Sequence, residues 1–135
     1  MMNVCIDIHG VLDRFPSAFV KMAKEVRAAG GKVHVVTGMT LSHQLILQLL
    51  SYGSGEQFWD ELVSIEDCLT LSGKGEGQNE FGRPMFPAEL WNSFKGKYCD
   101  EHEVDVMFDD SPEYAGYSSA LFFLVQGTKF SLKSA

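Results

Sequence analysis

The chain has 135 residues, the size of one ordinary domain with a core of its own, and 45% of them are apolar with no low-complexity tract. Eighteen acidic residues face eleven basic ones, and the net charge of −7 excludes a broad basic face of the kind that grips a nucleic-acid backbone. A small phosphorylated ligand or a short single-stranded end is compatible with that charge.

Asn3 to Ile8 is a nearly continuous apolar run broken by Asp7 and followed by Gly10, the pattern of a buried parallel strand that ends in a tight turn. Pro16 stands where a helix would begin. Phe19, Val20, Met22, Ala23, Val26 and Ala29 then recur at helical spacing until Gly30-Gly31 stops them. Lys32 to Thr37 reads as a second strand, Gly38 as the turn after it, and Leu41 to Tyr52 as a second helix carrying Leu45, Ile46, Leu49 and Leu50.

Leu62 to Ile65 is a short strand candidate. From Ser72 to Pro87 four glycines and two prolines leave no usable period, which predicts a long loop or a minimal lid. Leu90, Trp91, Phe94 and Tyr98 place a helix over Pro87 to Glu101; Val104 to Phe108 and Ala120 to Val125 read as the last strands. Strands alternating with helices imply a three-layer α/β/α, Rossmann-like parallel sheet, with the whole of 1–135 as one domain.

Cys5, Cys68 and Cys99 are odd in number and lack metal-ligand spacing, which fits reduced thiols in a cytoplasmic protein. No basic segment followed by a long apolar stretch opens the chain, and no window reaches transmembrane length, so neither export nor a membrane partner is expected. His34, His43 and His102 have no zinc-like spacing and read as structural.

In an open parallel sheet the ligand site lies beyond the carboxyl ends of the strands. Three strands here end in polar groups that could meet there: Asp7 with His9, Thr37, and Asp109 with Asp110. A lone strand-end Asp, or a Thr before Gly, is also a routine cap or turn residue. Two adjacent carboxylates are harder to explain that way, because they repel unless a cation or a shared proton holds them. An all-oxygen donor set favours Mg²⁺.

Asp7-Ile8-His9-Gly10-Val11-Leu12 resembles the first signature of the haloacid dehalogenase superfamily, Val35-Val36-Thr37-Gly38 its second, and Phe108-Asp109-Asp110-Ser111 its fourth. The resemblance implies a haloacid-dehalogenase-like fold and a Mg²⁺-dependent phosphomonoester phosphatase working through a phosphoaspartyl intermediate. Asp7 would be the nucleophile, and Thr37 and Gly38 would bind the phosphoryl group. The metal would sit on Asp7, the backbone carbonyl of His9, Asp109 and Asp110. Lys95 is first in line for the charge-neutralising lysine, followed by Lys97 and then Arg83, with Lys74 in the same loop as Arg83. His9 stands where the family carries its acid/base aspartate. An imidazole of pKa near ~6.5 could take that role, but its presence also fits a weakened site.

The short connections leave no room for an inserted cap domain, and capless members act on exposed or macromolecular phosphates or borrow a lid by forming a homo-oligomer. The expected substrate is a phosphorylated small molecule, a nucleotide or a nucleic-acid end. Two alternatives stay open: a non-catalytic metal-binding or partner-binding module, and phosphoryl transfer to an acceptor other than water.

Overall fold

The computed structural model describes residues 1–126. Five strands, β1 (Val4–Ile6), β2 (Val33–Thr37), β3 (Glu61–Ser64), β4 (Val106–Asp109) and β5 (Leu121–Leu124), form one sheet in the order β3-β2-β1-β4-β5 with every pair parallel. Four helices cover it: α1 (Pro16–Ala28), α2 (His43–Tyr52), α3 (Ile65–Leu71) and α4 (Ala88–Glu101). This is the three-layer, Rossmann-like α/β arrangement expected from the alternation of elements.

Side chains alternate across the sheet, and the alternation divides the core in two. Val4 and Ile6 of β1 with Val33 and Val35 of β2 pack toward Val20, Ala23, Leu45, Leu49, Phe58 and Trp59, on the side of α1 and α2. Cys5, Val36 and Met107 point the other way and pack with Ile65, Leu69, Tyr98 and Cys99 of α3 and α4. The central strands β1 and β2 are buried throughout, whereas the edge strand β5 leaves Leu121 and Phe123 exposed.

The helix α3 lies in a segment that carried no helical reading. It is only seven residues long, too short for a period to declare itself. Its start is marked by Ser64, whose Oγ accepts the Asp67 backbone N–H at 3.0 Å. The Ser72 to Pro87 stretch, expected as an irregular loop or lid, holds a short antiparallel hairpin. Gln78 bridges Pro84, and Asn79 Oδ1 accepts the backbone N–H groups of Phe81 and Arg83 at the turn. A 3₁₀ turn over Pro112–Tyr117 also went unread; its six residues offer no amphipathic repeat. Cys5, Cys68 and Cys99 are free thiols, and among the described residues no helix is long and apolar enough to cross a membrane.

Phe58 has no exposed surface and its ring stands edge-on to Trp59 at 5.0 Å between centroids. Phe58→Ala removes that contact and leaves a cavity beside α1 and α2, so it should lower unfolding free energy by about 3–5 kcal/mol in a urea titration.

Candidate functional site

The strand order reverses direction at β1: the chain moves outward through β2 and β3, then returns to place β4 on the other side of β1. A crevice opens at such a reversal, beyond the carboxyl ends of β1 and β4. Ile6 is in register with Phe108, so Asp7 and Asp109 leave neighbouring strands at the same level; the Asp7 backbone N–H bonds to the Phe108 carbonyl at 3.0 Å. Ile6 and Phe108 both pack on the α1 side, which by alternation turns Asp7 and Asp109 toward α4.

Lys95 of α4 meets them there. Its Nζ lies 2.9 Å from Asp7 Oδ1 and 2.5 Å from Asp109 Oδ2, and only 3% of the residue is exposed. The Tyr114 ring, carried on the 3₁₀ turn, approaches the ammonium with its centroid at 5.1 Å. Burial alone would discourage the ammonium charge, but the two carboxylates outweigh it and hold Lys95 well above the ordinary lysine range. The sequence reading ranked Lys95 ahead of Lys97 with both as candidates; the structure separates them. Lys97 is exposed and lines a different groove, with Leu69, Leu90 and Phe94, so it is not part of this site.

A third carboxylate joins from Asp110. One oxygen from each of Asp7, Asp109 and Asp110 falls within 4.8 Å of the others. Gly10 makes room for it: the residue has φ of +85°, and a Cβ there would overlap the Asp110 carboxylate. Before it, the chain leaves β1 through a wide turn in which the Leu12 and Asp13 N–H groups bond back to the carbonyls of Asp7 and Ile8. Three carboxylates around one ammonium leave an excess of two negative charges, and all donors are oxygens. That balance fits a hard divalent cation held by Asp7, Asp109 and Asp110.

The same crowding shows in the acids themselves. Burial pushes Asp7 up to about 6, with Lys95 opposing and Asp109 and Asp110 adding to the rise; Asp109 is raised chiefly by burial as well. Lys95 stays charged, and Asp7 takes up a proton as pH falls through about 6.

The remaining candidates divide. A cavity of about 330 Å³ is lined by Asp7, His9, Gly38, Met39, Arg83, Trp91, Lys95, Asp110, Ser111 and Tyr114. Gly38 admits the edge of Trp91, whose Cζ2 would sit 2.9 Å from a Cβ at that position. Thr37 is fully buried and outside the lining; its Oγ1 accepts the Met39 N–H at 3.1 Å and shapes the turn that presents Gly38 and Met39. The His9 side chain is half exposed, with Nδ1 3.4 Å from Asp13 Oδ2, and Asp13 Oδ1 accepts the Gly10 N–H at 2.8 Å. Arg83 reaches the cavity from the hairpin, paired with Glu66 at 2.9 Å. Sequence reasoning missed Trp91 and Tyr114 as wall residues and Glu66 and Asp13 as partners. Of these only Trp91 sat in an interpreted pattern, the apolar repeat that predicted the last helix. His34, read as structural, is buried with Nδ1 2.8 Å from Tyr98 Oη.

No family model matches the chain, and no curated protein matches it in sequence. A solved structure described as a universal stress protein in complex with cAMP shares the fold, with a TM-score of 0.50 and 12% identity over 93% of this chain and 96% of its own. A second, described as the structure of MT0777, matches at a TM-score of 0.42 and 12% identity over 92% and 86%, too distant to carry an argument. At such identities the likeness shows the fold alone.

These findings correct the family reading. The fold neighbour is a universal stress protein, from a different Rossmann-like α/β family, and neither a family model nor a sequence match supports the haloacid dehalogenase resemblance. The phosphatase and hydrolase assignment falls with it. So do the roles it lent to Asp7 as nucleophile, His9 as acid/base, and Thr37 and Lys95 as catalytic groups. The three short signatures misled because a parallel sheet puts Asp, Thr-Gly and Asp-Asp at its strand ends for reasons of geometry that unrelated families share.

The raised Asp7 carboxyl has a consequence for the metal-free protein. Between its ordinary value of 3.8 and about 6 the folded form binds more protons at this residue than the unfolded form does. Its stabilising contribution is therefore complete below pH 3.8 and is lost as pH rises through 6. In EDTA, the melting temperature of the wild type relative to Asp7→Asn should fall between pH 4 and pH 6.5, as measured by circular dichroism.

Proposed function

We propose that the chain is a binding module that takes a nucleotide phosphate through a bound divalent cation, with Mg²⁺ the favoured ion. The observation that carries this reading is the cavity at the β1/β4 crevice, which joins the Asp7 and Asp110 carboxylates, with Asp109 buried beside them, to an aromatic wall. With the ion in place the two surplus negative charges are offset, and a phosphate can approach acids that would otherwise repel it.

Each part of the cavity has a task in this reading. Asp7, Asp109 and Asp110 hold the cation. Lys95 keeps Asp7 and Asp109 at a fixed separation. Trp91, oriented by a hydrogen bond from its Nε1 to Tyr114 Oη at 3.1 Å and stacked on Phe86, offers a flat apolar surface for a base. The nucleotide class is supported by that wall and by the cAMP in the universal stress protein of the same fold. The binding role agrees with the non-catalytic alternative raised by His9.

Calorimetry with Mg²⁺ and adenosine 5′-monophosphate tests the reading. Mg²⁺ alone should bind; Asp110→Asn, which leaves the Lys95 pair intact, should weaken it by about tenfold or more. The nucleotide should bind with Mg²⁺ present and lose most of its affinity in EDTA. Undiminished nucleotide affinity in EDTA would overturn the metal-dependent role, and sustained phosphate release from the bound nucleotide would overturn a pure binding role.

A further inference from the structure

The hairpin contributes one charged side chain to the cavity, and a buried acid holds it there. Arg83 is half exposed, with Nη2 2.9 Å from Oε2 of Glu66, and Glu66 is only 6% exposed at the start of α3. An acid buried to that degree on a rigid element is a fixed anchor. The guanidinium has five N–H donors in a planar fork, and the Glu66 bond occupies one edge of it. The other donors are left for the cavity, which Arg83 lines together with Asp7, Lys95 and Asp110.

The donors that remain distinguish the ligands that fit. With a divalent ion bound, the three acids and Lys95 are balanced, and Glu66 balances Arg83, so the ligand is selected by the oxygens it can offer to the cation and to the guanidinium N–H groups that Glu66 does not use. A terminal phosphate monoester carries close to two negative charges at neutral pH and presents three free oxygens, enough to engage the cation and a guanidinium edge together. A cyclic or internal diester carries one charge and two free oxygens, so it cannot serve both fully.

Resting on the nucleotide-binding reading above, we infer that Arg83, positioned by Glu66, makes the site selective for a terminal phosphate monoester over a phosphodiester. Glu66 is the positioning residue and Arg83 the anion-contacting one. Neither holds the cation. The hairpin bonds that brace Arg83, from Asn79 N to the Arg83 carbonyl at 2.8 Å and from Arg83 N to Asn79 Oδ1 at 3.0 Å, keep its backbone in place without involving the guanidinium.

The experiment compares adenosine 5′-monophosphate with its 3′,5′-cyclic counterpart by calorimetry in Mg²⁺, on the full chain. Wild type should prefer the monophosphate by about tenfold or more, the scale of a lost charge-assisted contact. Arg83→Gln should erase most of that preference while leaving affinity for Mg²⁺ alone unchanged. Glu66→Ala should weaken monophosphate binding, and Glu66→Gln, which keeps an oxygen for the guanidinium, should restore much of it; melting temperatures show that each variant is folded. Equal preference in wild type and Arg83→Gln would overturn the assignment. Tighter monophosphate binding in Glu66→Ala would show that Glu66 competes with the ligand instead of positioning Arg83. Wild type that binds neither nucleotide in Mg²⁺ would overturn the nucleotide-binding reading itself.

Discussion

The contact on which the site depends is the bridge from Lys95 to Asp7 and Asp109. It ties α4 to the carboxyl ends of β1 and β4, the point where the sheet changes direction. An ammonium buried to this extent is tolerable only with opposing charge on hand, and two buried carboxylates side by side are tolerable only with a cation between them. Each solves the other's difficulty, and removing Lys95 would leave two buried carboxylates side by side with no cation between them. The cost of that arrangement is specificity of geometry: α4 cannot slide along the sheet without parting the ammonium from an acid.

Other features of the site follow from that bridge. Because Lys95 is committed to Asp7 and Asp109, it offsets part of the acid charge where it lines the cavity, and Asp110 remains as the exposed acid over Gly10. The α4 helix that delivers Lys95 also carries Trp91, one turn earlier and therefore on the same face, so the charged floor and the aromatic wall come from a single rigid element. Arg83 joins the lining from a hairpin tied to α3 by an ion pair. A rigid side and a side latched by one contact make a cavity that can admit a ligand without disturbing the acid cluster.

The fold and the activity separate here in an instructive way. A strand order of 3-2-1-4-5 places a crevice between β1 and β4 whatever the chain does with it, and the fold is shared with a universal stress protein at only 12% identity. Strand-end acids and a Thr-Gly turn are what that geometry favours. They are weak witnesses for any one reaction, and the phosphatase expectation failed because it took placement for chemistry.

The sequence by itself determined the layer architecture, since β1, β2, α1, α2 and α4 each announced their period and their stops within their own residues. It also marked Asp7, Asp109 and Asp110 as a group, because a parallel sheet obliges its strand ends to share one edge. Tertiary structure alone decided which lysine enters the site: Lys95 and Lys97 are two residues apart on one helix, and only the packing rotation of α4 turns the first inward and leaves the second in solvent. It alone paired Arg83 with Glu66 across seventeen residues of chain, and drew Trp91 against Gly38. Local periodicity reports what a residue does within its own element, whereas these contacts arise between elements whose separation in sequence carries no record of their meeting in space.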